Sequence, residues 1–228
     1  MLNGNKEDIY GRVDNYLPIT LFGDAIKVGV IGGGKAAFLK SKSFIKKGAM
    51  VEILSRDFCE EIKSMSEKNL SLIEEEYSFR FINDKHLIII AINEKTTIDR
   101  IICDCNSISK IYINSHDFKE GMGVVPVSRE SENVIISINS KVGNPKGSLM
   151  VVDKAINVAR EYDEFISYSS KLRDNIKKID KLKSELLNFI ISEDFKFFYE
   201  LGVDRKVLNL FYDESLVNNI LSFDNEVY

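Results

Sequence analysis

Cysteine and histidine are scarce in this chain, which narrows the chemistry it can support. Cys59, Cys103 and Cys105 are the three cysteines among 228 residues, and there are two histidines. An odd number of cysteines without a secretory context argues against a disulfide framework. Cys103 and Cys105 would need two more ligands to bind zinc, but His86 and His116 stand elsewhere in the sequence. We therefore interpret the thiols as structural and expect no metal site.

Long apolar runs and an excess of positive charge are also absent. No run reaches the roughly 18 apolar residues that a membrane span needs, and the opening segment MLNGNKEDIY lacks the apolar core of a signal peptide. The formal net charge is -4, so no global basic field attracts nucleic acid. We expect a cytoplasmic protein that binds neither membranes nor nucleic acid. With 44% hydrophobic residues, the chain can still bury a sizeable core.

The segment KVGVIGGGKAAFLKSKSFIKKGAMVEILS, residues 27–55, predicts a strand, a helix and a second strand. Apolar residues run almost continuously over residues 26–31, as in a buried parallel strand. Residues 35–47 carry apolar side chains at helical spacing and end at Gly48, which is typical of a helix C-cap. The segment AMVEILS then predicts a strand, which completes one βαβ unit of about thirty residues.

The rest of the first half continues this alternation. SFRFI, LIIIAI and KIYIN predict further strands, and residues 96–106 predict a helix. Strands that alternate with helices predict an α/β fold, here a Rossmann-like parallel sheet over residues 1–114. The runs GVVPVS and NVIISIN lack an intervening helix, so residues 115–147 predict a small β-containing dimerisation element attached to the sheet.

Residues 148–228 predict a helical C-terminal domain. Apolar residues recur there at three- and four-residue steps, with lysine and aspartate between them. These residues are Leu172, Ile176, Ile179, Leu182, Leu186 and Ile190. The resulting stripe is typical of a core face, and it could also pack on a partner helix or a second subunit.

Gly32, Gly34 and Ala37 fit the dinucleotide fingerprint G-x-G-x-x-[GA] between a strand and a helix. A missing Cβ lets a pyrophosphate approach the backbone amides at the helix N-terminus. The alternative is a tight turn in a Rossmann-like domain that binds no cofactor. The acid that normally accepts the ribose hydroxyls is absent from the tip of the second strand, although Asp57 lies two residues later. Arg56 would equally favour a 2′-phosphate, so NAD is preferred here and NADP stays open.

Several motifs together resemble the precorrin-2 dehydrogenase and sirohydrochlorin ferrochelatase family, which includes the N-terminal module of sirohaem synthases. They are LPITLFGDAIKVGVIGGGKAA, GAMVEILSRDF, IIIAINE and IYINSHDF, and the similarity covers roughly residues 15–150. The resemblance implies a homodimer that uses NAD to oxidise precorrin-2 to sirohydrochlorin. Some members of the family also insert ferrous iron to make sirohaem.

The resemblance also implies the roles of individual residues. Asp117 matches the family's essential carboxylate, which suits a reaction that removes a hydride and a proton together. The implied cofactor residues are Gly32, Gly33, Gly34, Lys35, Ala36, Ser55, Arg56, Asp57 and Ala91. The tetrapyrrole carries many carboxylates and needs basic or amide donors, and the implied substrate residues are His116, Arg129, Ser140 and Lys141.

The chain departs from the family pattern at two places. Residues 139–145 lack the paired glycines of the family, and Ile92, Asn93 and Ile98 replace threonine, aspartate and asparagine. These changes predict either a diverged enzyme or one with reduced activity. A function of another class stays open as well, namely a nucleotide-sensing regulatory module whose helical tail transmits the bound state.

Overall fold

The computed structural model describes residues 16–179 and 182–223, and the chain forms two compact units divided between Val125 and Pro126. The first unit contains a five-stranded, all-parallel sheet in the order β3-β2-β1-β4-β5. Its elements are β1 (Lys27–Ile31), α1 (Lys35–Lys46), β2 (Met50–Ser55), α2 (Glu60–Lys63), β3 (Leu70–Glu74), β4 (Leu87–Ile90), α3 (Lys95–Ser107) and β5 (Ile111–Asn114). The prediction of a Rossmann-like α/β fold is therefore confirmed. The segment MLNGNKEDIY lies outside the described residues.

Apolar side chains cover both faces of the central strands. On one face, Val28 and Ile53 pack into a core that includes Ala37 of α1. On the other face, Ile88 packs into a core that includes Ile101 of α3. Because β1 and β4 are covered on both sides, their sequences are continuous apolar runs rather than alternating ones.

The strand predicted at SFRFI is wrong. The segment Phe79–Ile82 forms a 3₁₀ turn, and the strand that precedes β4 is β3, Leu70–Glu74. Phe81 and Ile82 are apolar because they are buried under the sheet. The β3 segment reads LSLIE and lies at the sheet edge with no fully buried residue, so it lacks the apolar run that identified the other strands.

The second unit contains a β-hairpin and five helices. Its elements are β6 (Val127–Glu130), β7 (Ile135–Ile138), α4 (Pro145–Ile176), α5 (Lys183–Ile190), α6 (Glu193–Glu200), α7 (Asp204–Phe211) and α8 (Glu214–Ile220). Strands β6 and β7 pair only with each other in the described sheets, so the prediction that this β element is attached to the parallel sheet is wrong. The hairpin packs instead on α4.

Asp163 of α4 fixes the hairpin turn through three donors. Its carboxylate accepts hydrogen bonds from Ser131 Oγ and from the backbone N–H groups of Glu132 and Asn133, each at 2.9 Å. These interactions tie the short hairpin to a long helix, which is what a two-stranded sheet needs for stability.

Most of the predicted C-terminal apolar stripe belongs to a helical core, but Leu182 does not, since it is 49% exposed at the start of α5. Leu172, Ile176, Leu186 and Ile190 are fully buried and pack with aromatic and aliphatic residues of the later helices. The stripe is shared by two helices, since α4 ends at Ile176 and α5 begins at Lys183. No helix among the described residues combines the length and the apolarity needed to cross a membrane. The division into three segments at residues 114 and 147 stays a prediction.

Candidate functional site

Gly32 and Gly33 bring the end of β1 against two neighbouring segments. Gly32 has φ +130°, and a Cβ there would lie 2.4 Å from the carbonyl oxygen of Ala91, directly after β4. A Cβ on Gly33 would lie 1.9 Å from the carbonyl oxygen of Asp57 and 2.7 Å from Ser55 Oγ. The two glycines are therefore required by close backbone approach, and they bring the predicted residues from three segments together.

Gly34 differs from the two glycines before it. A Cβ there would meet nothing within 4 Å, so this side of the turn is open. Gly34 is also the N-cap of α1 and provides no side-chain hydrogen bond to the first backbone amides, which lack partners within the helix. The first turn contains no acidic residue and begins with the exposed Lys35, followed by the exposed Ala36. Open space, unsatisfied N–H groups and a cation fit a diphosphate group.

The tip of β2 carries charges of both signs beside this turn. Asp57 Oδ1 accepts a hydrogen bond from the Phe58 backbone N–H at 2.8 Å and forms an ion pair with Lys63 Nζ at 3.3 Å. The Phe58 hydrogen bond, followed by the Lys63 interactions, lowers the pKa of Asp57, so its carboxylate is ionised at neutral pH. Arg56 is largely exposed and lies 3.7 Å from Glu76. The tip of β2 thus presents the Asp57 carboxylate as an acceptor and the exposed Arg56 guanidinium as a cation.

The segment after β5 holds Asp117 at the same edge of the sheet. The backbone N–H of Ser115 donates to the carbonyl oxygen of Ile90 at 2.9 Å, which extends the pairing of β5 with β4 by one residue. Asp117 is half-buried and caps a short 3₁₀ turn, where its Oδ1 accepts from the Lys119 backbone N–H at 2.9 Å. His116 is exposed. This loop therefore presents one carboxylate and one imidazole beyond the carboxyl end of β5.

Three residues of this loop were missed by the sequence reasoning. Asn114 is 1% exposed and accepts hydrogen bonds from the backbone of the loop. Glu120 accepts from the Asn114 side chain and pairs with Lys95. Ser115 Oγ is buried and has no hydrogen-bond partner among the described residues. For Asn114 and Ser115, the available signal was a pair of polar residues at the end of an apolar strand.

The remaining predicted substrate residues lie in the second unit. Arg129 Nε forms an ion pair with Asp153 Oδ1 at 2.8 Å. Ser140 Oγ accepts a hydrogen bond from the Asn144 backbone N–H at 3.0 Å, just before α4 begins. Lys141 is exposed. Their assignment to the substrate stays a prediction.

The cysteines do not form a metal site in the described part of the chain. Over residues 16–179 and 182–223, no three His, Cys, Asp or Glu side chains form a group that could hold a metal ion. Cys59 is half-buried, Cys103 is exposed and Cys105 is buried in the core beneath α3. Burial raises the pKa of the Cys105 thiol to about 11, which keeps it protonated and unreactive.

Known proteins are similar in sequence to the part of the chain that contains the glycine turn and Asp117. A protein family described as "Putative NAD(P)-binding" matches residues 23–127, which include the glycine turn and Asp117. A curated protein of Methanocaldococcus jannaschii named "Putative precorrin-2 dehydrogenase" is 34% identical over 139 residues, or 57% of this chain. Over the matched segment, this chain is therefore similar to a precorrin-2 dehydrogenase. The match spans 66% of that relative's own length.

A solved structure supports the same fold. The structure described as "SirC, precorrin-2 dehydrogenase" aligns with a TM-score of 0.65 and 19% sequence identity. The alignment covers 86% of this chain and 98% of that one. The resemblance deduced from the sequence motifs is thus confirmed, and the family description supports a nicotinamide dinucleotide as the cofactor.

Proposed function

We propose that this protein oxidises precorrin-2 to sirohydrochlorin with NAD. One observation carries the proposal: the glycine turn after β1 and the Asp117 loop after β5 lie at the carboxyl edge of one parallel sheet, on either side of β4. The strand order reverses between β1 and β4, and open α/β sheets bind their ligands in the crevice outside such a reversal. The site therefore combines a dinucleotide cradle with an acid.

The residues of the cradle would hold the cofactor by separate contacts. Backbone N–H groups at the start of α1 would bind the diphosphate across the open side of Gly34. Ser55, Arg56 and Asp57 at the β2 tip would bind the adenosine ribose. Ala91 lies against Gly32 and would border the same cradle from the β4 side. When bound, NAD supplies a hydride acceptor.

Asp117 would act as the general base. Oxidation of the tetrapyrrole removes one hydride and one proton, and a half-buried carboxylate next to the cradle can accept that proton. The exposed His116 beside it would bind a substrate carboxylate. For Arg129, Ser140 and Lys141, the substrate role rests on the family resemblance alone. Iron insertion also requires loss of pyrrole protons, so the same carboxylate could serve a chelatase step.

The test is an anaerobic assay of wild type and Asp117→Asn with precorrin-2, followed by the absorbance of the reduced nicotinamide. We expect kcat to fall by about 10²–10⁴-fold in the variant, because a positioned acid or base contributes a factor of this size. Asp174→Asn is the matched control, since Asp174 is a carboxylate of α4 paired with Lys177. Adding ferrous iron to the product in a further reaction tests for sirohaem formation.

The outcomes separate the possible functions. An unchanged kcat in Asp117→Asn would move the base to another residue. A wild-type protein that binds NAD but never turns over precorrin-2 would refute the enzyme and favour the nucleotide-sensing module. In that case NAD should change the oligomeric state or the exposure of the helical tail.

We further propose a cytoplasmic homodimer. Free thiols, one of them exposed, suit a reducing compartment. Leu17, Ile19 and Phe22 are strongly exposed apolar residues, which association of two copies could cover. Light scattering at micromolar concentration should give twice the mass of one chain, and a single-chain mass would contradict the dimer.

A further inference from the structure

Asn114 joins the two ends of the loop that carries Asp117. This buried side chain accepts hydrogen bonds at Oδ1 from the backbone N–H groups of His116 at 3.0 Å and Asp117 at 3.4 Å. Its Nδ2 donates to Glu120 Oε2 at 3.2 Å. Each end of the side-chain amide therefore binds a different part of the loop.

Glu120 connects this loop to α3. Its Oε1 lies 2.7 Å from Lys95 Nζ, and Lys95 also pairs with Asp99 one turn further along the helix at 3.0 Å. The hydrogen bond that Lys95 donates to Glu120, followed by the one that it donates to Asp99, raises the pKa of Lys95, so this lysine stays charged. The chain of contacts runs from the end of β5 through Asn114 and Glu120 to the first turn of α3.

Within the described part of the chain, the Asp117 side chain makes one hydrogen bond, in which Oδ1 accepts from the backbone N–H of Lys119 inside the same short turn. The position of the carboxylate therefore depends on the position of the loop. We propose that Asn114 and Glu120 are positioning residues that hold Asp117 in place for proton transfer. This inference rests on the proposed role of Asp117 as the base.

The hydrogen bond between Asn114 and Glu120 can be tested by reversing its direction, so that residue 114 accepts and residue 120 donates. Asn114→Asp replaces the Nδ2 donor with an oxygen that faces the Glu120 carboxylate, which breaks the tie by like-charge repulsion. Glu120→Gln in wild type leaves one side-chain oxygen for two donors, Asn114 and Lys95. In the double variant, the glutamine amide can donate to the new aspartate while its oxygen accepts from Lys95. The geometry therefore predicts that the double variant has a higher kcat than either single variant.

Activity gives the first readout. We expect each single variant to lower kcat by about 10–100-fold with an unchanged KM for NAD, because a displacement of about 1 Å can cost about 10²-fold. The double variant should recover most of that loss. Asp99→Asn is the control, since it removes a neighbouring partner of Lys95 without touching the loop, and it should keep the wild-type kcat.

Hydrogen exchange gives a readout that needs neither substrate nor cofactor. Asn114→Asp keeps the oxygen that accepts from the amides of His116 and Asp117, so any loss of their protection must come from the broken tie to Glu120. Repulsion from Glu120 should displace the loop, and a peptide covering residues 115–121 should then exchange faster in Asn114→Asp and regain protection in the double variant. Loss of protection with an unchanged kcat would overturn the inference, and so would a double variant no better than the single ones. If Asn114→Asp does not fold, Glu120→Gln must lower kcat by itself, or the inference fails. Full activity of Asp117→Asn would instead refute the proposed base.

Discussion

Gly34→Ala separates the binding role of the glycine turn from its structural role. A Cβ at this position would meet nothing within 4 Å, and φ is −93°, which alanine adopts freely. At Gly33, by contrast, a Cβ would lie 1.9 Å from the Asp57 carbonyl oxygen, where no relaxation of a flexible side chain can relieve the clash. Two adjacent glycines thus predict opposite phenotypes for the same substitution.

The expected stability change at Gly34 is small. Alanine is a poorer N-cap than glycine by several tenths of a kcal/mol, but it lowers the entropy of the unfolded chain, which contributes about 0.4–1 kcal/mol in favour of folding. These effects nearly cancel. A difference of about 0.5 kcal/mol would move Tm by about 1–2 °C in a chain of this length.

The expected loss of NAD affinity is larger. The added methyl group would stand on the open side of the turn, between the phosphate and the first N–H groups of α1. Losing one hydrogen bond to a charged group costs about 1.5–3 kcal/mol, which corresponds to about a 10–100-fold rise in Kd. Calorimetric titration with NAD measures this change.

Thermal unfolding of the same samples completes the test. Gly33→Ala serves as the contrast, and we expect it to lower Tm strongly or to prevent folding. Gly34→Ala with the Kd of wild type would refute the reasoning, because the diphosphate would then not lie at the open side of the turn. A Gly34→Ala protein that fails to fold would refute the claim that this side is free of structural contacts.

Two further predictions concern other polar groups. Ser115→Ala should leave Tm unchanged or raise it, because it removes a buried hydroxyl that has no hydrogen-bond partner over residues 16–179 and 182–223. If a ligand binds that oxygen, the variant should also raise the Kd for NAD or the KM for precorrin-2. If neither constant changes, the hydroxyl has no ligand role. Asp163→Asn should destabilise the protein at neutral pH, and the difference should close below about pH 4. Burial acts to raise the pKa of Asp163, but hydrogen bonds from the hairpin turn, with Asn133 first, lower it overall. The carboxylate therefore stabilises the fold above its unfolded pKa, and this stabilisation is lost as pH falls through the folded pKa. Acid titration of both proteins by circular dichroism measures the difference in stability.

The first βαβ unit could be read from the sequence because local sterics determine it. The run of residues 27–31 is apolar on both faces of a covered strand, and Gly32 occupies a backbone conformation that side chains rarely adopt. The edge strand β3 could not be read in this way. It has exposed polar positions, and its pairing with β2 is what makes it a strand.

Contacts between residues distant in sequence explain why other features of the structure could not be predicted from local patterns. Lys85 is only 4% exposed, although lysine is seldom buried, because it pairs with Glu52 at 2.8 Å and lies over the Phe81 ring. Phe81 is only one helical turn away in sequence, but Glu52 is distant, so no local pattern indicates the ion pair that accompanies the burial. The tie between Glu120 and Lys95 likewise spans 25 residues. The family resemblance pointed to Asp117, but the hydrogen bonds and ion pair that hold its loop depend on tertiary structure.

One departure from the family pattern, Ile98, lies in α3 close to the ion pair between Lys95 and Glu120. Ile98, which stands where the family has an asparagine, is fully buried between α3 and the sheet with Ile101 and Cys105. An apolar side chain there adds core packing at the helix turn next to Lys95, and burying a side chain of this size contributes about 1.5–3 kcal/mol relative to exposure. Since the Asp117 loop is tied to that turn through Glu120, we expect the substitution to act on the loop through the packing of α3. A firmly packed α3 therefore favours a rigid loop, which is what the proposed role of Asp117 as a base would require.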